Sequence, residues 1–584
     1  MGIKATSDQW WKNGVVYCLD VETYLDGNGD GCGDLVGLTE RIDYLAGLGV
    51  TVLWLMPFHP SPDRDDGYDV TDFYGVDPRL GSLGQFVELV RTARSRGIRV
   101  IIDLVVNHTS DQHPWFQSAR ASKDSPYRDW YVWADEPTND SDLTEVFPGD
   151  QEGVWAWDEQ AGQYYLHRFY PHQPDLNVAN PAVRDEIARI AGFWLELGVS
   201  GFRMDAVPFL LELDGIEDAP SVDPHEYLQD IRAFVSRRKG DAVLLGEVNL
   251  PPDDQRKYFG DEDGDELHLI FNFSVMQRIW LALARGDATP VADALGALPP
   301  VPYDSQWATF LRNHDELTLD QLSDDEREEC FAAFGPDESM QLYDRGLRRR
   351  LPPMLGGDRD RIEMAYSLLF SLPGTPVIFY GEEVGMGENL DVPDRAAVRT
   401  PMQWADEPGG GFSTGPADRF PAPLTGGDYG PEHVNVADAR RDPGSLLNWM
   451  ERLMRRRNET PELGFGDWHV VKADVASVLV HRCDWEGSTV LAVHSFAGDD
   501  RSVRFPLDGL DDAVALDDLL DGHRVELDGP DVSLDLPRYG YRWFRVLRQG
   551  SRILLRRTLA FMRLLEGHFA LKRKLDREDP GYAV

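Results

Sequence analysis

The sequence predicts an α/β chain: a (β/α)8 TIM barrel, interrupted after its third strand by an inserted subdomain and followed by a C-terminal antiparallel β-sandwich domain. Three observations predict it. Near-continuous apolar runs of strand length alternate with helix-like stretches through most of the 584 residues, the pattern of parallel strands buried on both faces. That alternation breaks once, between about 107 and 175, where Trp, Tyr, Pro and Asp crowd together. Past residue 464 the pattern changes to short alternating strands separated by turns.

Strand one is expected at 15–21. A helix at 38–48 leads to strand two at 51–57, and a helix at 83–96 leads to strand three at 99–106. Beyond the insertion, a helix at 183–197 leads to strand four at 201–207. Strands five to eight follow at 242–248, 268–273, 307–311 and 375–380. The barrel thus occupies 1–106 and 176–463, with the subdomain at 107–175 lying over its mouth. The sandwich, 464–547, carries strands at 475–481, 489–494, 502–505 and 543–546. The remaining 548–584 form a basic tail in which Arg552, Arg556, Arg563 and Lys574 stand among Leu555, Met562 and Phe569 near helical spacing. Such a tail suits a membrane surface or a partner, and equally a helix docked on the chain's own acidic body.

The formal charge is −43, from 101 acidic and 58 basic residues, which argues against general binding of nucleic acid. Only eight of the basic residues are Lys. A surface this rich in Asp and Glu repels itself at low ionic strength, and salt screens that repulsion within about 10 Å at 0.1 M and about 3 Å at 1 M. The composition fits a halophilic protein adapted to a salty cytoplasm; an acidic protein from a GC-rich genome is the alternative. No uncharged apolar run reaches about 18 residues, so no membrane span is expected. The first residues lack the apolar core of a signal peptide. Cys18, Cys32, Cys330 and Cys483 have no metal spacing, and reduced thiols in a cytoplasmic protein are expected. Nothing in the sequence excludes assembly into a homo-oligomer.

Three carboxylates stand at the ends of predicted strands: Asp205 after Gly201-Phe202-Arg203-Met204, Glu247 after Leu244-Leu245-Gly246, and Asp315 after Phe310-Leu311-Arg312-Asn313-His314. A single Asp in such a place is commonly a helix cap. Three of them, with Arg203 and His314 alongside, match what cleavage of a sugar linkage needs: a nucleophile, a proton donor and a group that fixes the ring. Asp205 would attack the anomeric carbon, with Arg203 two positions away holding it ionised. Glu247 would need a raised pKa to donate the proton. Asp315 would grip ring hydroxyls as the ring flattens.

Together with Asp103-Leu104-Val105-Val106-Asn107-His108, these segments make the chain resemble the α-amylase superfamily, glycoside hydrolase family 13, over roughly residues 9–546. Within that family it is most similar to the trehalose synthase branch and its oligo-1,6-glucosidase and α-glucosidase neighbours. The shared stretches are Arg64-Asp65-Asp66-Gly67-Tyr68-Asp69, the run from Asn107 to Phe116, Gln173-Pro174-Asp175-Leu176-Asn177 and Arg399-Thr400-Pro401-Met402-Gln403-Trp404. The resemblance implies that Tyr68 stacks on the sugar, that His108 and His314 bind hydroxyls, and that Gln173 and Glu316 belong to the substrate site. It also implies that Asp69 and Arg399 close the far end of a blind glucose pocket, with Arg395 near enough to exchange roles with Arg399.

Asp26-Gly27-Asn28-Gly29-Asp30-Gly31-Cys32-Gly33-Asp34 puts hard oxygen donors at alternate positions, which suits Ca²⁺ with the Cys32 carbonyl as an extra ligand. Position twelve is Gly37 rather than Glu, so the loop is not an EF-hand. The family resemblance also implies a structural Ca²⁺ after strand one and no organic cofactor; a Gly/Asp turn without an ion is the alternative.

The resemblance implies short α-glucosides such as maltose or trehalose as substrates, and isomerisation by glucosyl transfer through a β-glucosyl-Asp intermediate. Hydrolysis, as in an α-glucosidase or oligo-1,6-glucosidase, is the alternative, and a catalytically inactive superfamily partner protein a remote one. Two segments depart from the trehalose synthase pattern. Val248-Asn249-Leu250-Pro251 follows Glu247, and Leu143-Thr144-Glu145-Val146-Phe147 offers no Arg to pair with Glu316.

Overall fold

A computed structural model describes residues 9–137, 146–147, 153–211, 225–262 and 264–549. Eight parallel strands close into a barrel: β1 (Val16–Leu19), β2 (Val52–Leu55), β3 (Arg99–Leu104), β4 (Gly201–Met204), β5 (Val243–Gly246), β6 (Leu269–Phe271), β7 (Gln306–Thr309) and β8 (Thr375–Phe379). Each strand pairs with its sequence neighbours, and β8 closes the ring against β1. All eight fall inside the expected ranges or overlap them closely, because apolar side chains fill both faces of these strands. Gly201 lets β4 lie flush on β5: a Cβ there would sit 2.2 Å from the Val243 carbonyl oxygen. The amphipathic helices Leu83–Ser95 and Pro181–Glu196 turn Phe86, Leu89, Ile187 and Trp194 onto the barrel.

The insertion after β3 contains the helix Pro114–Ala121 and a three-stranded sheet of Trp133–Ala134, Gln163–Leu166 and Trp155–Asp158, in that order. Its neck closes where His108 bridges Asp175 and Tyr131 bridges Leu176. A second excursion, which the sequence reading does not anticipate, follows β7. It is a small sheet in which Leu317–Thr318 pairs with Gly346–Leu347, itself paired with Gln341–Leu342.

The C-terminal domain has a six-stranded antiparallel sheet drawn from Asp467–Val471 through Tyr541–Arg548, and a two-stranded sheet of Arg501–Pro506 with Asp531–Leu536. Its last strand runs to Arg548, one residue beyond the expected boundary. Trp543 anchors this domain to the barrel, fully buried, with its indole N–H donating to Ser367 Oγ at 3.0 Å. The basic stretch from 550 onward lies outside the described residues. All four cysteines are free thiols. No helix among the described residues is long and apolar enough to cross a membrane.

Candidate functional site

Asp205 follows the last residue of β4, Glu247 follows the last residue of β5, and Asp315 lies in the loop after β7. All three line one cavity of about 500 Å³ at the barrel mouth, within the range of about 300–1,000 Å³ usual for small-molecule sites.

Arg203 organises the floor. Its strand position faces Asp103 across the β3–β4 ladder. Nη1 donates to Asp103 Oδ1 at 2.6 Å and to Asp205, and Nη2 donates to Glu247 Oε2 at 2.6 Å. One guanidinium, itself only 1 % exposed, therefore grips both acids that the chemistry needs. A guanidinium serves here because it stays charged and offers several donors in a rigid plane. Between the acids the chain turns through Ala206 at φ +48°, a left-handed conformation unusual for a residue with a Cβ. That turn aims the Ala206 N–H at Glu247 Oε2, 3.3 Å away.

The three acids differ in their readiness to ionise. Burial pushes Asp205 up to about 6, opposed by Arg203 and reinforced by Asp103 and Asp315. Burial pushes Glu247 further, to about 7, opposed by Arg203 and reinforced by Asp205 and Asp315. Burial also works against charge on Asp315, but His314, Arg395 and Arg399 outweigh it and hold that carboxyl well below its usual range. Burial keeps His314 itself neutral, so the two guanidinia carry the effect. Arg395 Nη1 and Arg399 Nη2 donate to Asp315 Oδ1 at 2.8 and 3.0 Å.

Tyr68, His108 and Glu316 line the cavity, while Arg203, His314 and Gln173 lie directly behind its wall. The His314 ring stacks on Tyr68 at 5.8 Å, and its Nε2 lies 2.8 Å from Tyr68 Oη and 3.1 Å from Asp315 Oδ2. Gln173 donates to Asp65 Oδ2 at 2.8 Å.

The expected far wall needs correcting. Asp69 is wholly buried outside the cavity, accepting from Ser61 Oγ at 2.7 Å and pairing with Arg64 at 3.4 Å. Arg399 is spent on Asp66, Asp315 and the His314 carbonyl, and does not line the cavity. Asp65 and Arg395, paired at 2.8 Å, do line the cavity. Asp65 lies three residues before Tyr68 in a run of four acids and Arg395 one helical turn before Arg399, so spacing alone could not choose between them.

Further residues complete the lining. Phe169 and Phe209 form an aromatic wall, and Asn249, Thr318 and Asp320 a polar one. Asn249 donates to Asp320 Oδ2 and accepts from Gln321 Nε2, both at 2.7 Å, which gives the departure after Glu247 a place in the cavity's hydrogen bonding. Glu316 does have a basic partner, supplied from elsewhere in the chain than 143–147: Arg345 Nη2 lies 3.0 Å from Glu316 Oε1. Residues 143–145 lie outside the described residues.

The loop after β1 closes largely on itself. Asp26 accepts the N–H groups of Asn28 (3.0 Å), Gly29 (2.6 Å) and Gly31 (2.8 Å). Asp34 caps the helix Leu35–Glu40 by accepting the Gly37 N–H at 2.7 Å. Asn28 and Asp30 each accept one loop amide, from Asp30 and Cys32. Among the described residues no group of three or more His, Cys, Asp or Glu side chains is disposed to hold a metal. What fits Ca²⁺ is the donor chemistry: Asn28, Asp30 and the Cys32 carbonyl offer hard oxygens that this network does not exhaust.

A parallel barrel with three carboxylates converging on a hexose-sized cavity at its mouth defines a carbohydrate-active barrel enzyme. The chain belongs to the α-amylase family: the family described as "Alpha amylase, catalytic domain" matches residues 21–332 and 348–466, and "Sucrose hydrolase-like, C-terminal domain" matches 487–545. The trehalose synthase/amylase of Mycobacterium tuberculosis is 41 % identical over 548 residues, covering 92 % of this chain and 90 % of that one. The oligo-1,6-glucosidase of Halalkalibacterium halodurans is 30 % identical, covering 84 % and 91 %. The crystal structure of an α-amylase from H. orenii superimposes with a TM-score of 0.74 at 28 % identity, covering 92 % of this chain and all of that one.

A reaction that needs Asp205 ionised and Glu247 protonated gains rate as pH rises through about 6 and loses it as pH rises through about 7. The pH profile of kcat/KM on an aryl α-glucoside should therefore be a narrow bell with its maximum between those values. A rate that stays level up to pH 9 would contradict the assignment of Glu247 as the acid.

Proposed function

We propose that the protein is a retaining glucosyl-transferring isomerase that interconverts maltose and trehalose. The observation that carries this is the single guanidinium of Arg203 holding Asp205 and Glu247 side by side on the floor of a sugar-sized cavity. Asp205 attacks the anomeric carbon while Glu247 protonates the departing glycosidic oxygen, leaving a glucosyl ester on Asp205 and a free glucose. Asp315, kept ionised by Arg395 and Arg399, grips the ring through the flattened transition state. In the second half, a hydroxyl of the released glucose attacks the same carbon, the ester bond breaks, and the hydroxyl proton passes to Glu247. The relative named trehalose synthase/amylase supports transfer to a sugar. Hydrolysis is the second reading, favoured by the relative named oligo-1,6-glucosidase; there water attacks in place of glucose. The convergence of all three acids on one cavity weighs against an inactive partner protein.

Incubation with maltose separates these outcomes. Trehalose is expected as the main product, and glucose alone would overturn isomerisation in favour of hydrolysis. Asp205→Asn should lower turnover by several orders of magnitude and leave the far-UV spectrum unchanged; a substantially active variant would remove Asp205 as nucleophile.

We further propose a structural Ca²⁺ held by Asn28, Asp30 and the Cys32 carbonyl, and a cytoplasmic protein adapted to high salt. The all-oxygen donor set, the four free thiols and the charge of −43 support these readings. One melting series tests the ion and the salt together. Chelation should lower Tm by about 5 °C or more, restored by added Ca²⁺, and transfer from about 1 M to about 0.01 M salt should unfold the chain. A Tm indifferent to chelator removes the ion, and a Tm indifferent to salt removes the adaptation.

A further inference from the structure

The family match breaks between residues 332 and 348, and the unmatched segment contains a hairpin that reaches the cavity mouth. Leu342 and Gly346 pair, and the Arg345 N–H closes the turn on the Leu342 carbonyl at 3.3 Å. The two central residues, Tyr343 and Asp344, have φ of +57° and +52°. A turn of this hand is made without strain by Asn-Gly. Here it carries a bulky aromatic residue in the left-handed region, a conformation that persists only where the surroundings fix it.

Burial of the ring fixes it. Tyr343 is 7 % exposed, its centroid 5.1 Å from Phe147 and its hydroxyl 3.3 Å from that of Tyr170. Phe147 lines the cavity, and Tyr170 and Phe169 extend the same cluster from the inserted subdomain. The next residue, Arg345, lines the cavity and pairs with Glu316, the neighbour of Asp315. Gly346 makes this approach sterically feasible, since a Cβ on it would lie 2.7 Å from Glu316 Cγ. The hairpin is thus pinned to the triad loop on one side and to the inserted subdomain on the other.

We propose that Tyr343 and Arg345 are specificity-determining residues: they close the cavity mouth over the bound sugars, so that the glucosyl group on Asp205 goes to a sugar hydroxyl rather than to water. This rests on the glucosyl-enzyme chemistry proposed above but not on the identity of the disaccharide. In that step the Asp205 ester bond breaks, the new glycosidic bond forms at the same carbon, and Glu247 takes the acceptor's proton. With the mouth open, water supplies the oxygen and the proton instead.

The test uses the full chain with an aryl α-glucoside as donor and free glucose as acceptor, and reads the ratio of disaccharide formed to aryl alcohol released. Tyr343→Asn keeps a residue that tolerates the left-handed turn while removing the ring, and Arg345→Gln removes the positive charge that faces Glu316 without touching the turn. Each should lower the ratio by about tenfold, the scale of one lost charge-assisted contact, while aryl alcohol release rises as water gains access. Ratios within about twofold of the parent in both folded variants would overturn the proposal. So would disaccharide formation and aryl alcohol release falling in parallel, as a merely structural role requires. Should the parent make only glucose from maltose, isomerisation fails, yet the ratio with the aryl donor still decides the role of the hairpin.

Discussion

Everything at the barrel mouth depends on one buried cation. Arg203 stands on β4 with Asp103 beside it, Asp205 two residues on and Glu247 at the end of the next strand, and it bonds to all three. Three carboxylates and a guanidinium in so dry a place are costly to hold apart and costly to leave unpaired. Removing the cation would leave the acids uncompensated, and they would neutralise. Its presence keeps Asp205 ionisable near neutral pH, while Glu247, facing the charges of Asp205 and Asp315, stays protonated longer. Two carboxyls with different tasks thus emerge around one shared guanidinium.

Asp315 is governed by a separate set of charges. Arg395 and Arg399 lie one helical turn apart and converge on a single oxygen of that carboxylate, while their other nitrogens tie it to Asp65 and Asp66. The loop bearing Tyr68 and the loop bearing Asp315 are therefore clamped across the cavity. Asp69 anchors the Tyr68 loop from behind, through Ser61 and Arg64.

What the sequence made legible follows from how strongly local pattern dictates position. The eight strands were readable because a doubly covered parallel strand is apolar at every position, and the acids because they end such runs. The insertion's return at Asp175 was readable because the barrel alternation resumes there. Choices between like residues at short spacing were not readable: Asp65 against Asp69, and Arg395 against Arg399, are settled by which side chain the folded loop turns inward. The hairpin at Tyr343 left no trace at all. Its strands are two residues long, too short for any periodicity, and its turn carries neither Gly nor Asn, so tertiary packing overrides turn chemistry there. The basic partner of Glu316 is Arg345, 29 residues further along the chain, a pairing that only the folded chain brings about.

The central claim is that Asp205 becomes covalently bonded to the sugar. A fluorinated glucosyl fluoride, which forms the ester quickly and releases it slowly, followed by proteolysis and peptide mass analysis, tests it most directly. The added mass should fall on the peptide carrying Asp205, and on that residue by fragmentation. A label on Glu247 or Asp315, or full turnover with no labelled peptide, would contradict the account.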